Sequence, residues 1–70
     1  MKNFQQEFLD RIVAKFNKKS EAVRAISEIL GIGDDAIYKR IRGDSFIYPN
    51  EIAVLAKTFD ISLDDIIADL

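Results

Sequence analysis

Residues 20–43 read SEAVRAISEILGIGDDAIYKRIRG, and this stretch decides the fold. Apolar residues recur at helical spacing on both sides of Gly31. Ala22, Ala25, Ile26, Ile29 and Leu30 precede it, and Ile37 and Ile41 follow it. The spacing predicts one helix over about 21–30, with Ser20 as its N-cap, and another over about 35–42, stopped by Gly43. Gly31 suits the left-handed residue that ends a helix, because it has no Cβ to clash. Ile32 and Gly33 make a short turn, with Ile32 tucked under both helices. Asp34 and Asp35 suit a helix start, where the macrodipole favours negative charge, and Asp34 reads as a cap. Ile26 and Ile37 supply the apolar contact that sets the crossing of the two helices.

The flanking sequence is helical as well, with no alternation long enough for a strand. Before the central stretch, Phe4, Phe8, Leu9, Ile12, Val13 and Phe16 cover one broad face of a helix over 4–16. Asn3 and Gln6 form a capping-box pattern at its start. Gln5, Asp10 and Lys18 fall off the apolar face. After a loop over 44–48, Pro49 suits the first position of a fourth helix that reaches Phe59, with Ile52, Leu55, Ala56 and Phe59 inward. Ser62 and Asp65 open a fifth helix, from Leu63 to about Asp69, in a second capping-box pattern. The expected fold is all-α: a compact bundle of five short helices in a single domain over 1–70.

Composition excludes several classes of function. The chain has no Cys and no His, which removes disulfides, thiolate zinc sites, the cysteine nucleophile and the commonest general base. No glycine-rich phosphate loop, metal motif or nucleophile–base pair is visible, so neither an enzyme nor a cofactor is expected. Asp60, Asp64, Asp65 and Asp69 lack the spacing of a calcium loop and read as capping and solvated residues. No apolar run is long enough to span a bilayer. Residues 1–20 contain Glu7 and Asp10 and no continuous apolar stretch, so no signal peptide is expected and the default location is the cytoplasm.

Net charge is −2, which by itself argues against a polyanionic partner. The distribution changes that reading. Residues 1–43 carry 9 basic and 6 acidic residues, while residues 44–70 carry 1 basic and 6 acidic. The basic excess therefore lies on the first three helices.

Two helices of similar length joined by a short glycine-containing turn form a helix-turn-helix pattern, in which the second helix enters the major groove of DNA. Any small helical bundle contains such corners, so the pattern alone is a moderate signal. A wider set of residues carries a resemblance. Ile26, Gly31, Ile32, Ile37, Ile41 and Gly43, followed by LAKTFDISLDDII over 55–67, resemble the lambda-repressor-like family of helix-turn-helix domains. The likeness extends from about Ser20 to Ile67, and the first helix fits by position. It implies a five-helix domain that binds double-stranded DNA with its third helix as reader. It also implies part of a bacterial or phage-type transcriptional regulator, in which a further domain commonly follows the fifth helix.

At about 100° per residue, Tyr38, Arg42, Asp35 and Lys39 fall away from the face of Ile37 and Ile41. With Asp34 at the helix start they form the candidate base-reading set: Asp34, Asp35, Tyr38, Lys39 and Arg42. Arg40 falls between core and flank, with its stem packed and its head in water. In the family, the start of helix 2 and the loop after helix 3 hold phosphates. Lys18, Lys19, Ser20 and Arg24 occupy the first region and Ser45 the second. Val23 stands where many members carry a phosphate-binding Gln, so Arg24 or Lys19 has to substitute. The acidic Asp34 and Asp35 can accept from cytosine N4 but repel phosphates.

Structural alternatives stand beside these assignments. Asp35 precedes Lys39 by four residues, the favourable order for a helical ion pair. Tyr38 reads as a thymine or phosphate contact, a partner contact or an isolated surface residue. Phe46, Ile47 and Tyr48 form an apolar run that packs over helix 3 or helix 4, or serves a partner. Leu63, Ile66, Ile67 and Leu70 form a terminal stripe that packs on helix 1 or docks a symmetric partner or a continuing chain; a partly exposed stripe serving a homodimer is the favoured expectation. The alternative function is a protein-interaction module, or an antitoxin, on the same scaffold with weak DNA affinity.

Overall fold

In the computed structural model, which describes residues 3–70, the chain forms five α-helices, with no strand among those residues. They are α1 (Phe4–Val13), α2 (Lys19–Leu30), α3 (Asp34–Arg42), α4 (Pro49–Phe59) and α5 (Leu63–Ala68). α1 packs on α2, α3 and α5, and α2 packs on α3 and α4. The result measures 30 × 25 × 24 Å.

Local chemistry explains where each helix begins. Asn3 Oδ1 accepts from the Gln6 N–H at 2.9 Å, and Gln6 Oε1 accepts from the Asn3 N–H at 3.2 Å, completing the expected capping box. α2 starts before Ser20. Lys18 is the N-cap, and its N–H is taken by Glu21 Oε1 at 3.1 Å, which places Ser20 inside the helix. Gly33 is the N-cap of α3, so Asp34 is the first helical residue rather than the cap. Pro49 occupies the first turn of α4, and Ser62 caps α5 by accepting from the Asp65 N–H at 3.3 Å.

Three helix ends share one device. Gly31, Gly43 and Asp60 are left-handed, with φ of 70°, 90° and 54°. Beyond each, the next residue donates back to the helix. The Ile32 N–H reaches Ser27 O at 3.3 Å, Asp44 reaches Lys39 O at 2.8 Å, and Ile61 reaches Ala56 O at 2.9 Å. These are the long hydrogen bonds of Schellman caps, which satisfy orphan carbonyls and reverse the chain. The Ser27 hydroxyl also donates to Ile32 O, tightening the α2–α3 turn.

α1 is shorter than its apolar spacing suggests. Beyond Ala14 only tight bonds continue, from Lys15 to Ile12 O and from Phe16 to Val13 O. Phe16 still joins the core, edge-on to Phe59 at 5.9 Å between ring centroids.

The core is Phe8, Leu9, Ile12, Ala22, Val23, Ile26, Ile37, Ile47, Leu55 and Ile66. Two residues of α2 depart from expectation. Val23 is buried, whereas Ile29 is 37% exposed. The face of α2 that meets α1 and α3 is therefore rotated toward Val23. The terminal stripe also divides: Ile66 is fully buried, Leu63 is half-buried, and Ile67 and Leu70 are more than half exposed.

Candidate nucleic-acid interface

The site is built on the corner between α2 and α3. Gly31 turns the chain, Ser27 holds the turn, and Ile26 and Ile37 are buried between the two helices. α3 then presents an outer row in which Asp35, Lys39 and Arg42 are exposed. Lys18, Lys19, Ser20 and Arg24 lie exposed along the first part of α2 and its cap.

The two helices bring several candidates together. Arg24 Nη2 lies 3.2 Å from Asp34 Oδ2, so an expected phosphate contact and an expected base reader form a cross-turn ion pair. Lys19 Nζ sits 5.8 Å from the centre of the Tyr38 ring, within the range of a cation–π contact. Arg42 Nε pairs with Asp44 Oδ2 at 3.0 Å just past the end of α3. Lys18, Lys19 and Lys39 make no ion pair among the described residues.

Several expectations need correction. Tyr38 is half-buried and packs against the core, because Lys19 of α2 leans over its ring. Asp35 and Lys39 form no ion pair, and both side chains stand in solvent. The Arg40 head is not in water. Arg40 and Glu51 form an ion pair in which the side chains are only 12% and 13% exposed, and the Tyr48 ring lies 5.5 Å from the guanidinium carbon. Glu51 Oε1 also accepts from the Tyr48 N–H at 2.9 Å, so one carboxylate caps α4 and anchors α3. In the apolar loop only Ile47 packs. Phe46 is 81% exposed and Tyr48 is 60% exposed.

Sequence reasoning missed Gln5 altogether. It is half-buried, and its side chain reaches across to the last turn of α3 and the loop after it. Gln5 Nε2 donates to Arg40 O at 2.9 Å and to Ser45 O at 2.7 Å, while its Oε1 accepts from the Ile47 N–H at 2.9 Å. Ser45, a phosphate candidate, is thus held by its carbonyl and is itself half-buried. Helical periodicity marks apolar faces, and a polar residue at their edge gives no signal for such a clamp.

The arrangement offers cations, an aromatic ring and helix-borne polar groups on one corner. No group of His, Cys, Asp or Glu able to hold a metal occurs among the described residues, and none of their helices is long and apolar enough to cross a membrane. No protein-family model, curated protein or solved structure matches this chain.

Proposed function

We propose that this chain is a sequence-specific binder of double-stranded DNA, acting as or within a cytoplasmic bacterial or phage-type transcriptional regulator of the lambda-repressor-like kind. α3 enters the major groove. The observation that carries this reading is the α2–α3 corner itself, with Asp35, Lys39 and Arg42 exposed on α3 and Lys18, Lys19 and Arg24 beside them on α2 and its cap. Lys18, Lys19 and the α2 backbone start hold one phosphate run, and the Ser45 loop holds another. Two copies related by a twofold axis place their reader helices about 34 Å apart and demand a near-palindromic site.

The test is duplex selection from a random library at low salt, followed by titration of the selected site. Binding weakens as salt rises, and Lys39→Ala weakens it further, by about tenfold for a contact worth 1–3 kcal/mol. Absence of binding to any duplex at low salt overturns the reading.

A specific observation favours one second reading. Phe46 and Tyr48 are large and exposed, and Phe46 lines a groove together with Phe4 and Ile52. A protein-interaction module, or an antitoxin that combines both activities, would use that surface. Duplex binding separates the first of these from the DNA reading.

A further inference from the structure

We infer that Gln5 is a positioning residue for DNA binding: it holds the loop after α3 so that the Phe46 N–H is left open to a phosphate. This rests on the DNA reading above. The backbone donors of the loop divide into two groups. The N–H groups of Gly43 and Asp44 close the end of α3 on Arg40 O and Lys39 O, at 3.2 and 2.8 Å. The Ile47 N–H goes to Gln5 Oε1 and the Tyr48 N–H to Glu51 Oε1, each at 2.9 Å. Between them, the N–H groups of Ser45 and Phe46 meet no acceptor among the described residues.

Gln5 sets the direction of one of these two donors. Its Nε2 donates to Ser45 O at 2.7 Å. That carbonyl and the Phe46 N–H belong to one peptide unit, which is trans. In a planar trans unit the N–H runs antiparallel to the carbonyl, so the Phe46 N–H is turned away from Gln5 and α1. It sits on a residue that is 81% exposed. The bond to Ser45 O also polarises the same peptide and makes its N–H a stronger donor. The bonds of Gln5 to Arg40 O and the Ile47 N–H fix its amide from both ends. Consecutive unpaired N–H groups are a recurring way to seat an anion. The nearest carboxylate along the chain, Asp44, is paired with Arg42 at 3.0 Å, so its charge is compensated. The phosphate contact of this loop is therefore made by backbone and governed from α1, outside the two helices of the corner.

The test titrates the selected duplex with the full chain, with Gln5→Met, and with a synthetic chain carrying an ester in place of the Ser45–Phe46 peptide bond. The ester deletes the Phe46 N–H. Folded fraction is measured alongside, and Ile66→Val in α5 serves as a destabilised control. Gln5→Met and the ester each bind about tenfold more weakly per folded molecule. Each lowers the slope of log affinity against log salt by about one, and each selects the same bases as wild type. Ile66→Val keeps the wild-type affinity and slope per folded molecule. The ester retains the bonds of Gln5 to Arg40 and Ile47, so it carries the test alone if Gln5→Met does not fold. A wild-type slope in Gln5→Met or in the ester overturns the proposal and leaves DNA binding intact. So does a relaxed base profile in Gln5→Met, which places its effect in α3. Absence of duplex binding in the wild type overturns both readings.

Discussion

Single residues decide how firmly the candidate reader helix is held. Gln5 gives two hydrogen bonds and takes one, to the last turn of α3 and the loop after it, and no apolar residue replaces them. Removing the amide strands the Ile47 N–H and the Ser45 carbonyl in a half-buried region, while the Arg40 carbonyl keeps the Gly43 N–H. Gln5→Ala is expected to destabilise the domain by about 2–3 kcal/mol, at about 1 kcal/mol per hydrogen bond. Gln5→Glu is expected to do no better, since a carboxylate faces the Arg40 and Ser45 carbonyls. Urea denaturation checks both. Arg40 and Glu51 fix the same end of α3 from the other side. None of these partners was legible in the sequence. They lie 11 to 42 positions apart, and only the crossing of α1, α3 and α4 makes them neighbours. Arg24 and Asp34 were legible as individual candidates but not as a pair, for the same reason.

At the scale of elements, the helix ends were more readable than the starts. Gly31 and Gly43 announced their caps because few other residues adopt a positive φ. Asp60 is the exception, a non-glycine residue at φ 54° that ends α4 with the same backbone bond. Asp60→Gly is expected to stabilise by about 0.5–1 kcal/mol, the strain relieved exceeding the added entropy of the unfolded chain. Melting should rise by about 2–8 °C, on the scale of 4–8 °C per kcal/mol for a domain this size. The opposite change at Gly31 isolates the conformational cost, because a Cβ there meets no atom of the surrounding fold within 4 Å. Gly31→Ala is expected to lose about 1 kcal/mol, from the Cβ against its own backbone and not against the rest of the fold, and Gly31→Asn less. A pair of thermal melts decides it. Starts were misread where backbone N–H groups found carboxylates rather than hydroxyls. Glu21, not Ser20, sets the beginning of α2.

Over the whole molecule, charge and apolar surface are unevenly placed. The net charge is +3 over residues 1–43 and −5 over residues 44–70, so the acidic excess lies in the segment that contains α4 and α5. Arg11 links the two halves. Its guanidinium bonds to Asp69 and to Glu7, and these bonds, Asp69 first, push its already high pKa up. The pair is exposed and adds little to stability. Beside it, α5 buries Ile66 but leaves Ile67 and Leu70 57–58% exposed. If that stripe carries the proposed dimer, Ile67→Lys with Leu70→Lys yields a monomer in sedimentation equilibrium while helicity persists, because neither side chain supports the core. A wild-type monomer at high concentration removes the stripe from the proposal.

Helical content, the number of helices and most of the core were already determined by the sequence. Apolar spacing, glycine caps and Pro49 are local signals, and helices are held by local hydrogen bonds. Phe8, Leu9, Ile12, Ile26, Ile37 and Leu55 lie in the core as their spacing requires. The tertiary structure alone decided which flanking residues turn inward, as Val23 and Tyr38 do, and which stay out, as Ile29 and Phe46 do. It also decided who pairs with whom: Arg24 with Asp34, Arg40 with Glu51, and Gln5 with the loop after α3. The physical reason is that a helix's own pattern defines its apolar face only to within a residue's rotation. The exact rotation, and the polar partners at its edges, follow from how neighbouring helices pack.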